Sequence, residues 1–175
     1  MGKDEGEVID VAGAGIGGGR IPVGKADGLL SESKVLAARL GIETLLMDAD
    51  LILGKVHIES ALEHASRAFE RGRNVATTKM LEVMLYASGE RQLSSAIEKM
   101  GVRPATTRVA VVVSEQSKLA DVFQSLDIER DDSVLEGDIS KLAAFGIAKE
   151  EIECVGKEKA YDLVLERVAR VDLLK

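Results

Sequence analysis

The segment at residues 107–113 constrains the fold more than any other part of the chain, since it reads Thr-Arg-Val-Ala-Val-Val-Val. β-branched side chains favour an extended backbone, so this run predicts a strand. Shorter strands are predicted at residues 43–47, which are apolar, and at residues 7–12, which alternate. A chain of 175 residues suits one domain, taken here as residues 1–175. The few strands are therefore expected to form one small sheet.

Helical periodicity dominates the segments between the predicted strands. Leu62, Ala65, Ala68 and Phe69 form a stripe at helical spacing, and Gly72 ends it. Further helical segments are predicted at residues 33–40, 80–88, 93–100, 118–123, 138–145, 150–153 and 158–168. The tail after residue 168 is expected to form a strand or a docked segment. Clustered helices between a few strands predict an α+β fold, in which a small mixed or antiparallel sheet carries several helices on one face.

Residues 13–28 are rich in glycine and are expected to form a loop or an irregular segment. Gly13, Gly15 and Gly18 match the G-x-G-x-x-G pattern of dinucleotide sites, but the sequence that follows is not expected to start the required helix. A second pattern, Gly-Arg-Ile-Pro-Val-Gly-Lys-Ala, is a Walker A loop except that Ala26 replaces the hydroxyl residue that binds magnesium. We favour a flexible surface loop, and a stand-alone nucleotide-binding protein is the alternative.

The remaining reactive side chains do not form a catalytic or metal-binding set. Asp48 and Asp50 could hold a divalent cation, but such a pair more often ends a strand and caps a helix. His57 and His64 are the only histidines, and seven residues of helix would separate them by about 10 Å, too far to bind one zinc ion. The single Cys154 is expected to be a small buried residue. The sequence therefore predicts a protein that is not an enzyme and that needs no metal or cofactor.

The net charge of −7 is unevenly distributed along the chain. Residues 51–103 have eight basic and six acidic side chains, whereas residues 114–175 have nine basic and fifteen acidic ones. Contact with nucleic acid must therefore be local and would use the middle segment, because unspecific binding needs many phosphate contacts. No apolar run approaches 18 residues and the first residues are polar and acidic, so we expect a cytoplasmic protein without membrane contact.

Basic residues cluster in this middle segment, at Arg67, Arg71, Arg73, Lys79 and Arg91. Arg67 and Arg71 are four residues apart and share one helical face. Residues with this spacing more often belong to a solvated face, paired with acidic neighbours, than to a patch that binds phosphate groups. Spacing alone therefore favours the solvated face over the phosphate-binding patch.

Several segments carry a resemblance to a known family. Residues 45–58 read Leu-Leu-Met-Asp-Ala-Asp-Leu-Ile-Leu-Gly-Lys-Val-His-Ile, and residues 82–93 read Glu-Val-Met-Leu-Tyr-Ala-Ser-Gly-Glu-Arg-Gln-Leu. The pattern continues through Ala-Ile-Glu-Lys-Met-Gly-Val at 96–102, the valine-rich strand, Asp-Asp-Ser-Val-Leu at 131–135 and Leu-Val-Leu-Glu-Arg-Val-Ala at 163–169. In this order and spacing, the chain resembles the Cgi family, the smallest core subunit of the KEOPS complex, known in animals as PRPK-binding protein.

The resemblance implies a non-catalytic role in making threonylcarbamoyl-adenosine in tRNAs that read codons beginning with A. In KEOPS the chemistry belongs to another subunit, and an atypical small kinase of the PRPK/Bud type, acting as an ATPase, sits in the middle of the complex. The subunit resembled here binds the N-terminal lobe of that kinase and, in archaea, captures the 3′ CCA end of tRNA.

These implied roles suggest two sets of site residues. Basic side chains suited to the phosphates and bases of a single-stranded CCA end are the tRNA-binding candidates: Lys55, His57, Arg67, Arg71 and Arg91. Apolar residues of the last helix and tail, expected to be exposed, are the kinase-binding candidates: Leu163, Val164, Val168, Val171 and Leu173. A protein scaffold that binds the kinase and never contacts RNA is the other alternative, and the acidic net charge favours it.

Overall fold

The valine-rich run forms β3 (Arg108–Val113), an inner strand of a four-stranded sheet in the computed structural model, which describes residues 13–175. The strand order is β2-β3-β1-β4, and the other strands are β1 (Gly15–Arg20), β2 (Thr44–Asp48) and β4 (Glu129–Arg130). Every neighbouring pair is antiparallel. The predicted α+β fold with a small antiparallel sheet is confirmed, whereas the strand predicted at residues 7–12 lies outside the described residues.

Helices cover both faces of this sheet. On one face lie α1 (Ala26–Leu40) and α5 (Leu119–Ser125). On the other face lie α2 (Lys55–Glu70), α3 (Lys79–Ser88), α4 (Leu93–Met100) and α7 (Ala160–Leu174), and α6 (Lys149–Val155) precedes α7. Short 3-10 helices connect these elements at Ala49–Leu51, Gln116–Lys118, Asp132–Leu135, Ile139–Phe145 and Lys157–Lys159.

The side chains of β3 show why helices pack on both faces of the sheet and not on one face, as was predicted. Val109, Val111 and Val113 pack with α1 and α5, whereas Ala110 and Val112 pack with α2, α3 and α7. Successive side chains of a strand point to opposite faces, so a strand that is apolar at every position needs cover on both sides. The run of apolar residues in β3 therefore decides the layered arrangement.

Part of the glycine-rich segment is strand β1 and its last three residues begin α1, so the loop predicted over residues 13–28 is wrong at residues 15–20 and 26–28. β1 lies between β3 and β4 with its glycines buried. A Cβ at Gly18 would lie 2.7 Å from a Val134 methyl, and one at Gly19 would lie 2.4 Å from an Ile128 methyl. These glycines are needed because neighbouring segments approach the backbone closely, a tertiary constraint that local sequence does not reveal.

Three further expectations differ from the structure. α1 begins at Ala26, the last residue of the Walker-like segment, so the surface loop favoured there leads into a helix. α7 extends to Leu174, so the tail is helical and docks through the buried Val171, and only the strand alternative is wrong. Cys154 is exposed on α6 rather than buried. No helix within residues 13–175 is both long and apolar enough to cross a membrane.

Candidate functional site

A basic cleft of about 570 Å³ opens between the end of α2, the segment that follows it, and the end of α7. Arg67 comes from α2, Arg71 and Arg73 come from the connection to α3, and Lys175 follows α7. Val75, which is 51% exposed, adds an apolar side chain to this lining. The cleft therefore combines four basic side chains and the carboxylate of Asp172 with a small apolar surface.

The end of α2 places two of these arginines beside each other in space. The Gly72 backbone adopts a left-handed conformation with φ of 63°, which glycine accommodates without strain and which stops the helix. The Arg73 N–H then donates to the Ala68 carbonyl at 2.8 Å, so the chain turns back on the last helical turn. Arg71 and Arg73 consequently flank this turn at the mouth of the cleft.

The ion pairing of the cleft arginines determines how much of their charge is available to a ligand. Neither side chain forms an ion pair with a carboxylate of residues 13–175. Arg67 forms an ion pair with Glu63, but the distance is long at 3.9 Å and both side chains are exposed. This ion pair is therefore weak. An anionic ligand would therefore meet guanidinium groups that are free to donate hydrogen bonds.

A buried carboxylate shapes the wall of the cleft from behind. Glu82 on α3 is fully buried, and its Oε2 accepts hydrogen bonds from the N–H groups of Val75 at 3.0 Å and Ala76 at 2.7 Å. Its Oε1 forms an ion pair with the Lys175 ammonium group. A buried carboxylate is stable only when such partners replace water. Glu82 thus joins the connecting segment to the end of α7.

The same ammonium group leads into a second set of hydrogen bonds. Lys175 Nζ donates to the Tyr86 hydroxyl at 2.9 Å, and this hydroxyl donates to Asp172 Oδ1. Asp172 Oδ2 lies 2.7 Å from His64 Nδ1 on α2. Burial and the hydrogen bond to Asp172 raise the pKa of Tyr86 above its usual value. For Asp172, burial opposes ionisation, but the hydrogen bonds from Tyr86 and His64 outweigh it and lower the pKa.

The structure divides the five predicted tRNA-binding residues into three groups. Arg67 and Arg71 both line the cleft. Lys55, at the start of α2, lies about 18 Å from Arg67 along the helix axis, given about 1.5 Å per residue. Arg91 follows the far end of α3 and is also remote from the cleft. Of the predicted tRNA-binding residues, the structure therefore brings together only Arg67 and Arg71.

His57 is not at the surface, which contradicts its place among the candidate ligands. It is 1% exposed, its Nδ1 accepts from the Leu53 N–H at 3.2 Å, and its Nε2 donates to the Ala87 carbonyl at 2.8 Å. The ring packs edge-on against Phe145. Burial lowers the pKa of His57 to about 4, so the ring is neutral and structural at physiological pH.

The other candidate chemistry of the sequence does not assemble into a site. Asp48 caps the 3-10 helix that follows β2 by accepting from the Asp50 N–H at 3.0 Å, as expected for a strand-ending pair. Asp50 forms an ion pair with Arg108 at 2.7 Å. The glycines of the dinucleotide-like pattern lie within or beside β1 and do not open a helix. Within residues 13–175, no group of three metal-ligating side chains is suitably placed.

Comparison with known proteins identifies the family of this chain. A family model described as Kinase binding protein CGI-121 matches residues 25–170. The chain belongs to the CGI-121 family. Regulatory protein Cgi121 of Methanocaldococcus jannaschii is 26% identical over 136 residues, which cover 78% of this chain and 88% of that protein. Both descriptions state a binding or regulatory role, and neither states a reaction.

In this member of the CGI-121 family, the apolar stripe of α7 faces inward. Val164, Val168 and Val171 are almost fully buried, so the prediction that they are exposed is wrong. Their spacing of four and three residues docks α7 onto α2, α3 and the 3-10 helix at Ile139–Phe145. Leu163 is half-buried, and Leu173, at 85% exposed, is the only one of the five candidates that lies fully at the surface.

Two basic lining residues of the cleft, Arg73 and Lys175, were absent from the predicted tRNA-binding set. Arg73 follows the end of α2, so a search along the helical face of Arg67 does not reach it, although the Arg-Gly-Arg sequence around a helix-ending glycine points to it. Lys175 is 93 residues from its partner Glu82, and no local pattern connects the two. Only the packing of α7 against α3 places this lysine beside the cleft.

Proposed function

We propose that this protein is a non-catalytic regulatory subunit of the KEOPS complex that binds the kinase-type ATPase subunit and the 3′ CCA end of tRNA. In this role it supports the formation of threonylcarbamoyl-adenosine without contributing catalytic residues. The observation that carries the proposal is the pair of guanidinium groups of Arg71 and Arg73, which line the cleft and have no ion-pair partner among residues 13–175.

The chemistry of the cleft suits a single-stranded nucleic acid end. Phosphates of such a strand are held by charged side chains, and its splayed bases pack on apolar or planar groups. Arg67, Arg71 and Arg73 supply the charge, Val75 supplies an exposed apolar contact, and the planar guanidinium groups can also stack on bases. A volume of about 570 Å³ lies within the range of pockets that hold small ligands, which favours a short chain end over a duplex.

The kinase contact is proposed for the outward face of α7 and the exposed residues beside it. Asp162, Glu166, Ala169 and Arg170 are exposed along this helix, with Leu173 at its end. The face is largely polar, so the partner surface should offer complementary charges around a small apolar contact. The family description supports a kinase partner in general, and the KEOPS kinase is the specific partner proposed here.

The test is a gel-shift titration with intact tRNA and with the same tRNA lacking its CCA end. The R71A/R73A double variant removes the two free charges of the cleft, and the K55A/R91A double variant removes two charges at the other end of α2 and α3. We expect R71A/R73A to weaken binding of intact tRNA at least tenfold, while K55A/R91A stays within about threefold of wild type.

Salt dependence gives a second measure of the same contacts. Each phosphate contact with a single strand contributes about 0.7 to the slope of log affinity against log salt concentration. Removing two contacts should lower that slope by about 1.4 in R71A/R73A only. Equal binding of intact and trimmed tRNA would contradict recognition of the CCA end. Absence of binding to both would leave a kinase-binding scaffold without RNA contact as the better description.

A further inference from the structure

The segment that carries Arg71 and Arg73 has no regular structure of its own between α2 and α3. Its last part is held by two backbone hydrogen bonds, in which the N–H groups of Val75 and Ala76 donate to Glu82 Oε2. Two donors on one carboxylate oxygen fix both the position and the direction of the backbone at residues 75 and 76. The shape of this cleft wall therefore depends on Glu82.

Glu82 can accept these bonds as a carboxylate only if its charge is compensated. The side chain has no exposed surface, so water does not share in stabilising it. Lys175 supplies a positive charge directly on the second oxygen, and this ammonium group also donates to the Tyr86 hydroxyl. Removing one partner of a buried pair leaves an uncompensated charge, which costs more than the pair itself contributes.

Lys175 reaches this position because α7 is docked on α2 and α3. Val168 and Val171 of α7 are buried in the main core, about two turns and one turn before the lysine, respectively. Asp172, on the following turn, joins Tyr86 and His64 through its two carboxylate oxygens. The position of α7 is thereby transmitted to Glu82, and from Glu82 to the backbone of residues 75 and 76.

We propose that Glu82 and Lys175 are positioning residues that hold the arginine-bearing segment in its binding shape and so make the cleft depend on the docking of α7. This inference rests on the proposed tRNA-binding function of the cleft. Lys175 does not itself bind phosphate, because its side chain is 9% exposed and its ammonium group is shared between Glu82 and Tyr86.

A glutamine at position 82 separates this role from direct binding by Lys175. If Lys175 were a phosphate ligand, Glu82→Gln would release its ammonium group and tRNA would bind more tightly. If the pair positions the segment, the new amide group would face an ammonium donor, and the hydrogen bonds from Val75 and Ala76 would weaken. We expect E82Q to weaken tRNA binding about tenfold, the loss typical of a hydrogen bond to a charged group.

Two further variants complete the test. K175M removes the compensating charge but keeps the length of the side chain, and we expect tRNA to bind about tenfold more weakly. In the E82Q/K175M double variant the glutamine no longer faces an ammonium group, so binding should recover to within about threefold of wild type. K149M serves as the matched control, because Lys149 is exposed on α6 and has no ion-pair partner among residues 13–175.

Amide hydrogen exchange, measured by NMR on the same full chains without tRNA, tests the positioning step alone. In K175M the Val75 and Ala76 amides should exchange at least tenfold faster, while the amides of β3 keep their wild-type rates. Unchanged protection at residues 75 and 76, tighter tRNA binding by E82Q, or a double variant as weak as K175M would each overturn the inference. Wild-type protein that does not bind tRNA would instead overturn the proposed function, and the inference would fall with it.

Discussion

His57 makes the stability of this protein sensitive to mild acid. The ring is buried and neutral, with one nitrogen accepting from the Leu53 N–H and the other donating to the Ala87 carbonyl. Its pKa is lowered from 6.5 to about 4, chiefly because burial disfavours the charged form. In the unfolded chain the same ring binds a proton near pH 6.5, so the unfolded state gains protons first as the pH falls.

The pKa values of His57 in the folded and unfolded states give the sign and size of the change in stability with pH. The contribution of His57 to stability is fully present above pH 6.5 and is lost as the pH falls toward 4. One pKa unit corresponds to about 1.4 kcal/mol, so the loss amounts to about 2 kcal/mol between pH 7 and pH 5 and about 3 kcal/mol at the acid limit. Other titrating groups add their own slopes, so the comparison requires a variant that lacks only this group.

His57→Gln provides that comparison, because glutamine keeps an amide donor near Ala87 and cannot be protonated in this range. Urea unfolding at pH 7 and pH 5 measures how much the free energy of unfolding falls with pH. This fall should be about 2 kcal/mol larger in the wild type than in H57Q. The affinity of H57Q for tRNA at pH 7 should stay within about twofold of wild type, since the ring does not reach the surface. Equal pH dependence in the two proteins would refute the assignment of His57 as a buried neutral group.

Three further predictions concern other parts of the structure. Gly19→Val would place a Cβ 2.4 Å from an isoleucine methyl, so it should lower the free energy of unfolding by about 3 kcal/mol or prevent folding. Gly28→Ala in α1 should raise the free energy of unfolding by up to about 1 kcal/mol. Urea unfolding measures both changes. Lys141→Met should cost about 2 kcal/mol, because the three N–H donors of the ammonium group are shared among four backbone carbonyls within hydrogen-bond distance. Leu173→Arg should abolish co-purification with the kinase at unchanged melting temperature, while Val168→Arg should unfold the protein.

Specific results would contradict each of these predictions. A stable G19V protein with the wild-type fold would show that the neighbouring strand can move aside. Wild-type stability of K141M would show that water replaces the ammonium group at the four carbonyls. A kinase complex that survives L173R would place the kinase contact away from the end of α7.

The sequence was sufficient for elements whose stabilising contacts are local or repetitive. The spacing of Leu62, Ala65 and Ala68 predicted α2, and the valines of β3 predicted a strand, because each pattern has the period of its own secondary structure. β1 was missed because glycine disfavours strands on its own, and the need for Gly18 and Gly19 arises only from segments more than 100 residues away. A local pattern cannot contain that information.

The candidate site shows the same division between features with a local sequence pattern and features that depend on tertiary packing. Helical spacing identified Arg67 and Arg71 as neighbours, and the structure places both at one cleft. The apolar stripe of α7 was identified correctly but assigned to an external partner, because spacing gives the width of an apolar face and not what covers it. The link between Glu82 and Lys175 required the packing of two helices, which no sequence pattern of this chain predicts.

The acidic net charge does not oppose the proposed tRNA contact once charges are considered where they lie. Elsewhere on the surface, Arg20 pairs with Asp131 at 2.6 Å and Arg108 pairs with Asp50 at 2.7 Å, so these charges largely cancel in place. Arg71 and Arg73 have no such partners among residues 13–175. Charges more than about 8 Å apart are screened at physiological salt, so an anionic strand at the cleft responds to these arginines rather than to the sum of −7. Under the proposed function, local pairing and not net charge therefore decides where nucleic acid would bind.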